Sequence, residues 1–274
     1  MMASSGDALR AGAATGSGSD LTVRLARSAC DLQAAQRLRY RVFVQEMGGD
    51  GPLVDHAQGL ECDRFDPLFD HLLLIDQDRD AANGDHVVGA YRLLPDSRLG
   101  DGERFYCDSE FDLGPLRRSG RRLLELGRSC VDPAHRGGVG MFLMWQALAD
   151  YVVSQQIDIL FGAASFPDTA LDALAHPLSY LHHNHLAPAD LRVRSRQKNS
   201  FVPLDADKVD RREALSQMPS LIRAYLRLGG VIGEGVFVDH AFQTTDICIV
   251  LDTKAMTERA RSFAVRGVVG SSAQ

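Results

Sequence analysis

Along the middle of the chain, apolar and polar positions first alternate and then fall at helical spacing. In Leu123–Val131, the residues Leu124, Leu126, Arg128 and Cys130 face opposite to Glu125, Gly127, Ser129 and Val131, which predicts a strand. Asp132-Pro133 ends it, because proline has no N–H for a ladder and restricts the residue before it. From Met141, the spacing of Phe142, Trp145, Ala149 and Val152 predicts a helix. Between them lies Arg136-Gly-Gly-Val-Gly140, a glycine-rich turn carrying one cation. Strand, turn and helix start together suit a phosphate: glycines let backbone N–H groups approach, and a helix N-terminus favours negative charge.

The same patterning predicts a first strand from Leu21 and a helix capped by Asp31 that runs to about Met47, burying Leu32, Ala35, Leu38, Val42 and Phe43. An acidic loop with Asp55, Glu61, Asp63, Asp66 and Asp70 leads into a strand at His71–Ile75. A second strand, His86–Leu94, completes a hairpin. Later elements are a strand at Ile157–Gly162 parallel to the central one, a helical stretch from Ser165 to Asn184, and a helix from Pro219 stopped by Gly229-Gly230. Strands at Val231–Asp239 and Thr245–Leu251 follow. The expected organisation is a tail at 1–20, one α/β domain at 21–255 and a C-terminal tail at 256–274.

Composition narrows the class. At 45% hydrophobic and 24% charged, the chain is an ordinary globular protein, and its net charge of −6 argues against nucleic acid as a partner. No stretch approaches the roughly 20 apolar residues of a membrane span, and Met1–Asp20 lacks the apolar core of a signal peptide. Five cysteines, none in a C-x-x-C pair, read as reduced thiols of a cytoplasmic protein. His182 and His185 are three apart, but no acidic or cysteine ligand stands at a matching spacing, so no metal is expected.

The central segment resembles motif A of the GCN5-related N-acetyltransferases, whose turn takes the pyrophosphate and pantetheine of an acyl thioester. Val139 and Met141 depart from that pattern, standing where smaller residues are expected. A bulky pair there suits the single phosphodiester of a carrier-protein phosphopantetheine. Arg39-Tyr-Arg-Val-Phe43, Glu61-Cys-Asp-Arg-Phe-Asp66, Val88-Gly-Ala-Tyr-Arg-Leu-Leu-Pro95 and Glu125-Leu-Gly-Arg128 resemble, in order, the N-acyl homoserine lactone synthases. The second half instead resembles the L-ornithine N(alpha)-acyltransferases, through Phe161-Gly-Ala-Ala-Ser-Phe-Pro167, Leu178-Ser-Tyr-Leu-His-His183, Tyr225-Leu-Arg-Leu-Gly-Gly230 and Phe242-Gln-Thr-Thr-Asp246.

These resemblances imply a mixed central sheet flanked by helices and transfer of an acyl chain from acyl carrier protein to the α-amine of L-ornithine. No cofactor is bound: the donor brings its own phosphopantetheine, received by Val131, Arg136, Gly137, Gly138, Val139 and Gly140. The amphiphilic product leaves room for peripheral contact with the inner membrane. Resemblance to the lactone synthases makes Arg39, Phe43, Asp63, Asp66, Arg92 and Arg128 an active-site set, with Phe43 and Phe105 on the acyl side. Charge complementarity gives the acceptor's side-chain ammonium to Asp63, Asp66 or Asp70 and its carboxylate to Arg92 or Arg39. The amine must lose a proton, and Glu125 is the candidate base, directly or through water, the alternative being a structural ion pair with Arg128 or Arg92. On an extended strand, Glu125 and Arg128 point to opposite faces, so a bulge is required to bring both to one cleft. Cys130, with no histidine beside it, reads as a buried thiol. Arg117, Arg118, Arg121, Arg122 and Arg136, expected to flank the thioester end, and a second patch at Arg192, Arg194, Arg196 and Lys198 are candidates to receive an acidic carrier protein. Two other readings remain: a related carrier-dependent N-acyltransferase acting on another amine, and a non-catalytic acyl-binding module.

Overall fold

A computed structural model of the protein describes residues 20–52, 54–197 and 201–254. The two expected tails, apart from Asp20, lie outside the described residues, as does Lys198. The chain begins with β1 (Leu21–Leu25), α1 (Ala29–Arg39) and a π-helical extension over Tyr40–Glu46. A short hairpin of β2 (Val54–Asp55) and β3 (Leu60–Glu61) precedes β4 (Asp70–Asp76) and β5 (Val87–Pro95). A 3-10 turn at Tyr106–Ser109, β6 (Phe111–Asp112) and α2 (Gly114–Arg118) lead to the central pair, β7 (Leu123–Val131) and α3 (Gly138–Ser154). Then come β8 (Ile159–Phe166), α4 (Ala175–His185), β9 (Arg194–Ser195), α5 (Arg211–Gln217) and α6 (Ser220–Arg227). The last strands are β10 (Val231–Ile232), β11 (Phe237–Asp239) and β12 (Thr244–Asp252).

The main sheet has the order β1-β4-β5-β7-β8-β12-β10, with β11 also paired to β12. Its neighbours are antiparallel except β7 and β8, which are parallel as expected. On one face, Leu72, Leu74, Leu93 and Leu126 pack against Met144 and Leu148 of α3, Leu178 and Leu181 of α4, and Ile222 of α6. On the other face, Ala35 and Leu38 of α1 cover Leu73, Ile75, Ala90 and Cys130. Further along that face, Phe105, Phe111 and Phe161 pack beneath Leu94, Leu123 and Val250. The mixed sheet flanked by helices is therefore the architecture. Among the described residues, no helix is long and apolar enough to cross a membrane.

Several local expectations change. Ser28, not Asp31, caps α1; Asp31 sits in its first turn and pairs with Arg24 at 2.8 Å. The helix does continue past Arg39, but as a π-helix, which shifts the angular position of every later side chain. In α3, Phe142 is 40% exposed, and the buried face is Gly140, Met144, Leu148 and Tyr151. This helix is apolar most of the way round, so spacing alone does not choose its inner face. Ser165 and Phe166 belong to β8, and the helix expected from Ser165 begins only at Ala175. The strand expected over Val231–Asp239 is split by Gly233 and by Gly235 at φ +81. Gly229 and Gly230 do close α6: their N–H groups donate to Leu226 and Tyr225 carbonyls, and Gly229 has φ +95.

Candidate active site

The parallel pairing of β7 and β8 lasts only from Leu123↔Ile159 to Glu125↔Phe161, after which the strands separate. At the vertex, a Cβ on Gly162 would stand 2.2 Å from the Leu126 carbonyl oxygen, so only glycine fits. The opening beyond is a narrow cleft lined by Leu126, Gly127 and Ser129 on one side and Ala163 and Ala164 on the other. Tyr91 and Tyr225, whose hydroxyls hydrogen-bond each other, also line it. Burial pushes both phenols above their ordinary range, so the pair stays protonated.

The bulge required of β7 is present beside this cleft. Ala90 opposes Cys130 while Arg92 opposes Gly127, so β7 carries one extra residue there. Arg128 takes φ +51, a strained conformation for a long side chain. Its guanidinium thereby reaches the face occupied by Glu125, lying 4.9 Å from the ring centroids of both Tyr106 and Phe242.

Arg39, Arg92 and Arg128 meet Glu61, Asp63 and Asp66 in one buried network. Arg39 donates to Glu61 and, at 2.6 Å, to Asp66; it is fully buried. Arg92 donates to Asp63 at 2.8 Å and to Asp66 at 2.9 Å, and stacks 4.4 Å above Phe69. Arg128 donates to Glu61 at 3.1 Å, while its Nη2 has no hydrogen-bond partner. Burial works against the charge of Asp66, but Arg39, Arg92 and Gln36 together outweigh it and hold that carboxyl well below its ordinary range. The three arginines expected at the site are thus brought together with Asp63 and Asp66. Their charges neutralise one another, which corrects the expectation that Asp63 or Asp66 is free for a substrate ammonium.

Other expected residues fall elsewhere. Asp70 accepts from Arg98 and from Tyr151 of α3, each at 2.7 Å, which ties it to the opposite face of the sheet. Phe105 is 1% exposed and stacks edge-on against Phe161 at 5.0 Å, a core position. Phe43 is half-buried against the α1 core. Both Glu125 oxygens accept backbone N–H groups, from Tyr106 at 2.8 Å and Cys107 at 2.6 Å, and the residue is 1% exposed. Burial raises its carboxyl, with those donors opposing. This is the arrangement of a cap for the 3-10 turn, closed to a substrate. Cys130 is buried, which pushes its thiol up to about 12 and fits the inert role expected.

In the glycine turn, Gly137 (φ +81) and Gly138 (φ +62) supply the left-handed backbone that launches α3. Gly140 serves packing, since a Cβ there would meet Leu74 at 2.9 Å. Val139 is 58% exposed, and Arg136 is held by Glu46 and the Val131 carbonyl. Arg117–Arg122 precede β7 and so lie at its far end from this turn, roughly 30 Å away for a nine-residue strand. They pair internally, Arg117 with Asp108 and Arg121 with Asp252, and therefore do not flank the turn. Arg192 and Arg196 donate to backbone carbonyls, and Arg194 pairs with Glu234.

Sequence reading gave no role to Glu61, Tyr91, Tyr106, Glu110, Tyr225 or Asp246. Glu61, Tyr91, Tyr225 and Asp246 stand inside the motifs that carry the family resemblance. Nothing in local spacing marks the tyrosine pair or Glu110, because each meets its partner only through the sheet.

A sheet forked beside a bulged strand, with a helix launched from a glycine turn, defines a GNAT-type N-acyltransferase, and residues 38–146 match the family model described as acetyltransferase (GNAT) domain. The chain belongs to the L-ornithine N(alpha)-acyltransferases. It is 57% identical to the L-ornithine N(alpha)-acyltransferase of Rhodobacter capsulatus over 90% of this chain and 96% of that one. The enzyme of the same name from Agrobacterium fabrum is 40% identical over 89% and 84% of the two chains. In fold alone, the chain resembles FeeM, an N-acyl amino acid synthase from uncultured soil microbes, with a TM-score of 0.50 over 89% of this chain and 99% of that one at 13% identity.

Proposed function

We propose that this N-acyltransferase moves a (3-hydroxy)acyl chain from acyl carrier protein to the α-amino group of L-ornithine, forming lyso-ornithine lipid. The observation that carries the reading is the β7–β8 fork. The two strands part there, with the small residues Gly127, Ser129, Ala163 and Ala164 along the split and Tyr91, Leu221 and Tyr225 also lining it, which supports an extended, amide-bearing pantetheine arm laid between the strands. The relatives named above act on ornithine by their names, and this supports the acceptor.

In this reading, the neutral α-amine attacks the thioester carbonyl at the bulge of β7. The C–N bond forms, the C–S bond breaks, and the amine proton leaves to water. The departing thiolate takes a proton, for which the protonated Tyr91–Tyr225 pair is a donor in the cleft wall. Glu125 acts by position: it fixes the turn that carries Tyr106 against Arg128. Gly137, Gly138 and Arg136 take the phosphodiester end of the donor, which Arg136 meets by exchanging Glu46 for phosphate.

Expression in a host lacking ornithine lipids, followed by mass spectrometry of the lipid extract, tests this directly. N-acylated ornithine is the expected product, and its absence from an extract containing folded protein overturns the reading. Comparison of matched acyl-carrier-protein and acyl-CoA donors tests the carrier, with the carrier protein expected to give the higher kcat/KM.

A further inference from the structure

Glu110, Asp239 and Asp246 converge where the segment after the 3-10 turn meets β11 and β12. One oxygen from each lies within 4.8 Å of the others. Glu110 is 3% exposed and Asp246 5%, yet Glu110 Oε2 and Asp246 Oδ1 have no hydrogen-bond partner. Buried polar atoms without partners are costly, so a site that retains two of them side by side is built for something to fill it. Remaining bonds only anchor the cluster: Asp239 accepts from the N–H groups of Ala241 and Phe242, Glu110 bonds the Tyr106 hydroxyl, and Asp246 bonds Ser165 and Thr244. Arg128 is the cation that faces these carboxylates, and its ion pairs go to Glu61 and Asp63.

Placement decides what fills it. Asp246 lies opposite Ser165 of β8, one residue beyond the Ala163–Ala164 wall of the cleft. Tyr106 links the cluster to the bulge, since its ring lies against Arg128 and its hydroxyl meets Glu110. These links make the cluster a neighbour of the bulge, on the side where Tyr106 packs against Arg128. We propose that Glu110, Asp239 and Asp246 form the subsite for the side-chain ammonium of the amino-acid acceptor. An alkylammonium has three N–H donors, matching three convergent carboxylates, and needs no further ligands. A hard divalent cation of calcium size asks for six to eight oxygens. Burial raises Glu110 well above its ordinary range and Asp246 to about 6, with Asp239 adding to both, so the empty subsite holds protons more tightly than free carboxylates do and an arriving cation competes with them. This inference rests on the proposed amino-acid acceptor.

The test is acyl transfer by the full-length chain to L-ornithine and to L-norvaline, which has the same carbon skeleton without the terminal amine. Wild type is expected to favour ornithine in kcat/KM by about 10- to 100-fold, the worth of hydrogen bonds to a charged group. Glu110→Gln and Asp246→Asn are expected to bring the two acceptors within a few-fold, with the donor KM unchanged. Should either buried substitution unfold the chain, Asp239→Asn at the half-buried rim keeps its capping oxygen and carries the same expectation. Wild type that acylates both amino acids equally, or folded variants that keep the preference, overturns the subsite and leaves the acyltransfer reading intact. Wild type that acylates no amino acid overturns both. Manganese binding that ornithine does not displace reassigns the cluster to a metal and overturns the proposal.

Discussion

Two acidic regions of this molecule lie within reach of the same arginine and differ in whether their charge is answered. Around Arg39 and Arg92, the carboxylates of Glu61, Asp63 and Asp66 are met by three guanidinium groups, and Asp66 stays ionised far below its ordinary range. Beyond Tyr106, Glu110 and Asp246 are buried to a similar degree, but two of their oxygens have no partner and their carboxyls hold protons more tightly than usual. Burial is common to both and so does not decide protonation; the positions of the arginines do. The first region is a finished structural element. The second is unfinished in the way expected of a binding site.

The largest effect expected from breaking this contrast is in the answered region. Asp66→Asn leaves Arg39 and Arg92 undercompensated in the interior, and urea denaturation should show a loss of about 3–5 kcal/mol, as removal of one member of a buried pair usually does. Wild-type kinetics with wild-type stability in that variant would return the acidic loop to the role of a solvated surface. The sign with pH follows: the folded carboxyl is depressed, so its stabilisation is present above about pH 4 and is lost as pH falls further.

Glu125→Gln should come next. An amide places an N–H donor against one of the two backbone N–H groups that the carboxylate now accepts, and a loss of about 1–3 kcal/mol is expected by denaturation. The acidic limb of the pH–rate profile should survive. If that limb vanishes while stability is unchanged, Glu125 is the base after all.

A smaller effect is expected from the unanswered region, with the opposite sign. Burial pushes the Asp246 carboxyl up to about 6 in the fold, against near 4 in the unfolded chain, so between these values the folded state holds the extra proton. Stability therefore falls as pH rises from about 4 to 6 on account of this group. Asp246→Asn should flatten that slope when melting temperatures are compared at pH 5 and pH 7.5, and an unaltered slope would place the titration elsewhere. The smallest change in stability belongs to Arg136→Ala. Its exposed pair with Glu46 is worth roughly 0–1 kcal/mol, yet the donor KM should rise several-fold if the turn holds phosphate.

Much of the fold was legible because local chemistry and tertiary structure agree. Leu123–Val131 alternates, Pro133 ends it, and Gly229-Gly230 stop α6 through bonds that their own backbone makes. The helix faces were less legible. Phe142 and Met144 are equally apolar, and only the sheet beneath determines that Met144 is the one buried.

The candidate site divides along the same line. Sequence by itself determined that arginines 39, 92 and 128 and carboxylates 63 and 66 belong together, through motifs that resemble a known family. It also determined that Glu125 and Arg128 need a bulge to share a face, since alternation on a strand is a local rule. The partnerships were decided by tertiary structure alone. Asp70 turns to Tyr151 on the opposite face, Glu125 to the backbone of a turn, and Glu110 toward Asp246, 136 residues away in sequence. Charge in a sequence is a property of one residue, whereas neutralisation depends on which residues the sheet order brings within a few ångströms.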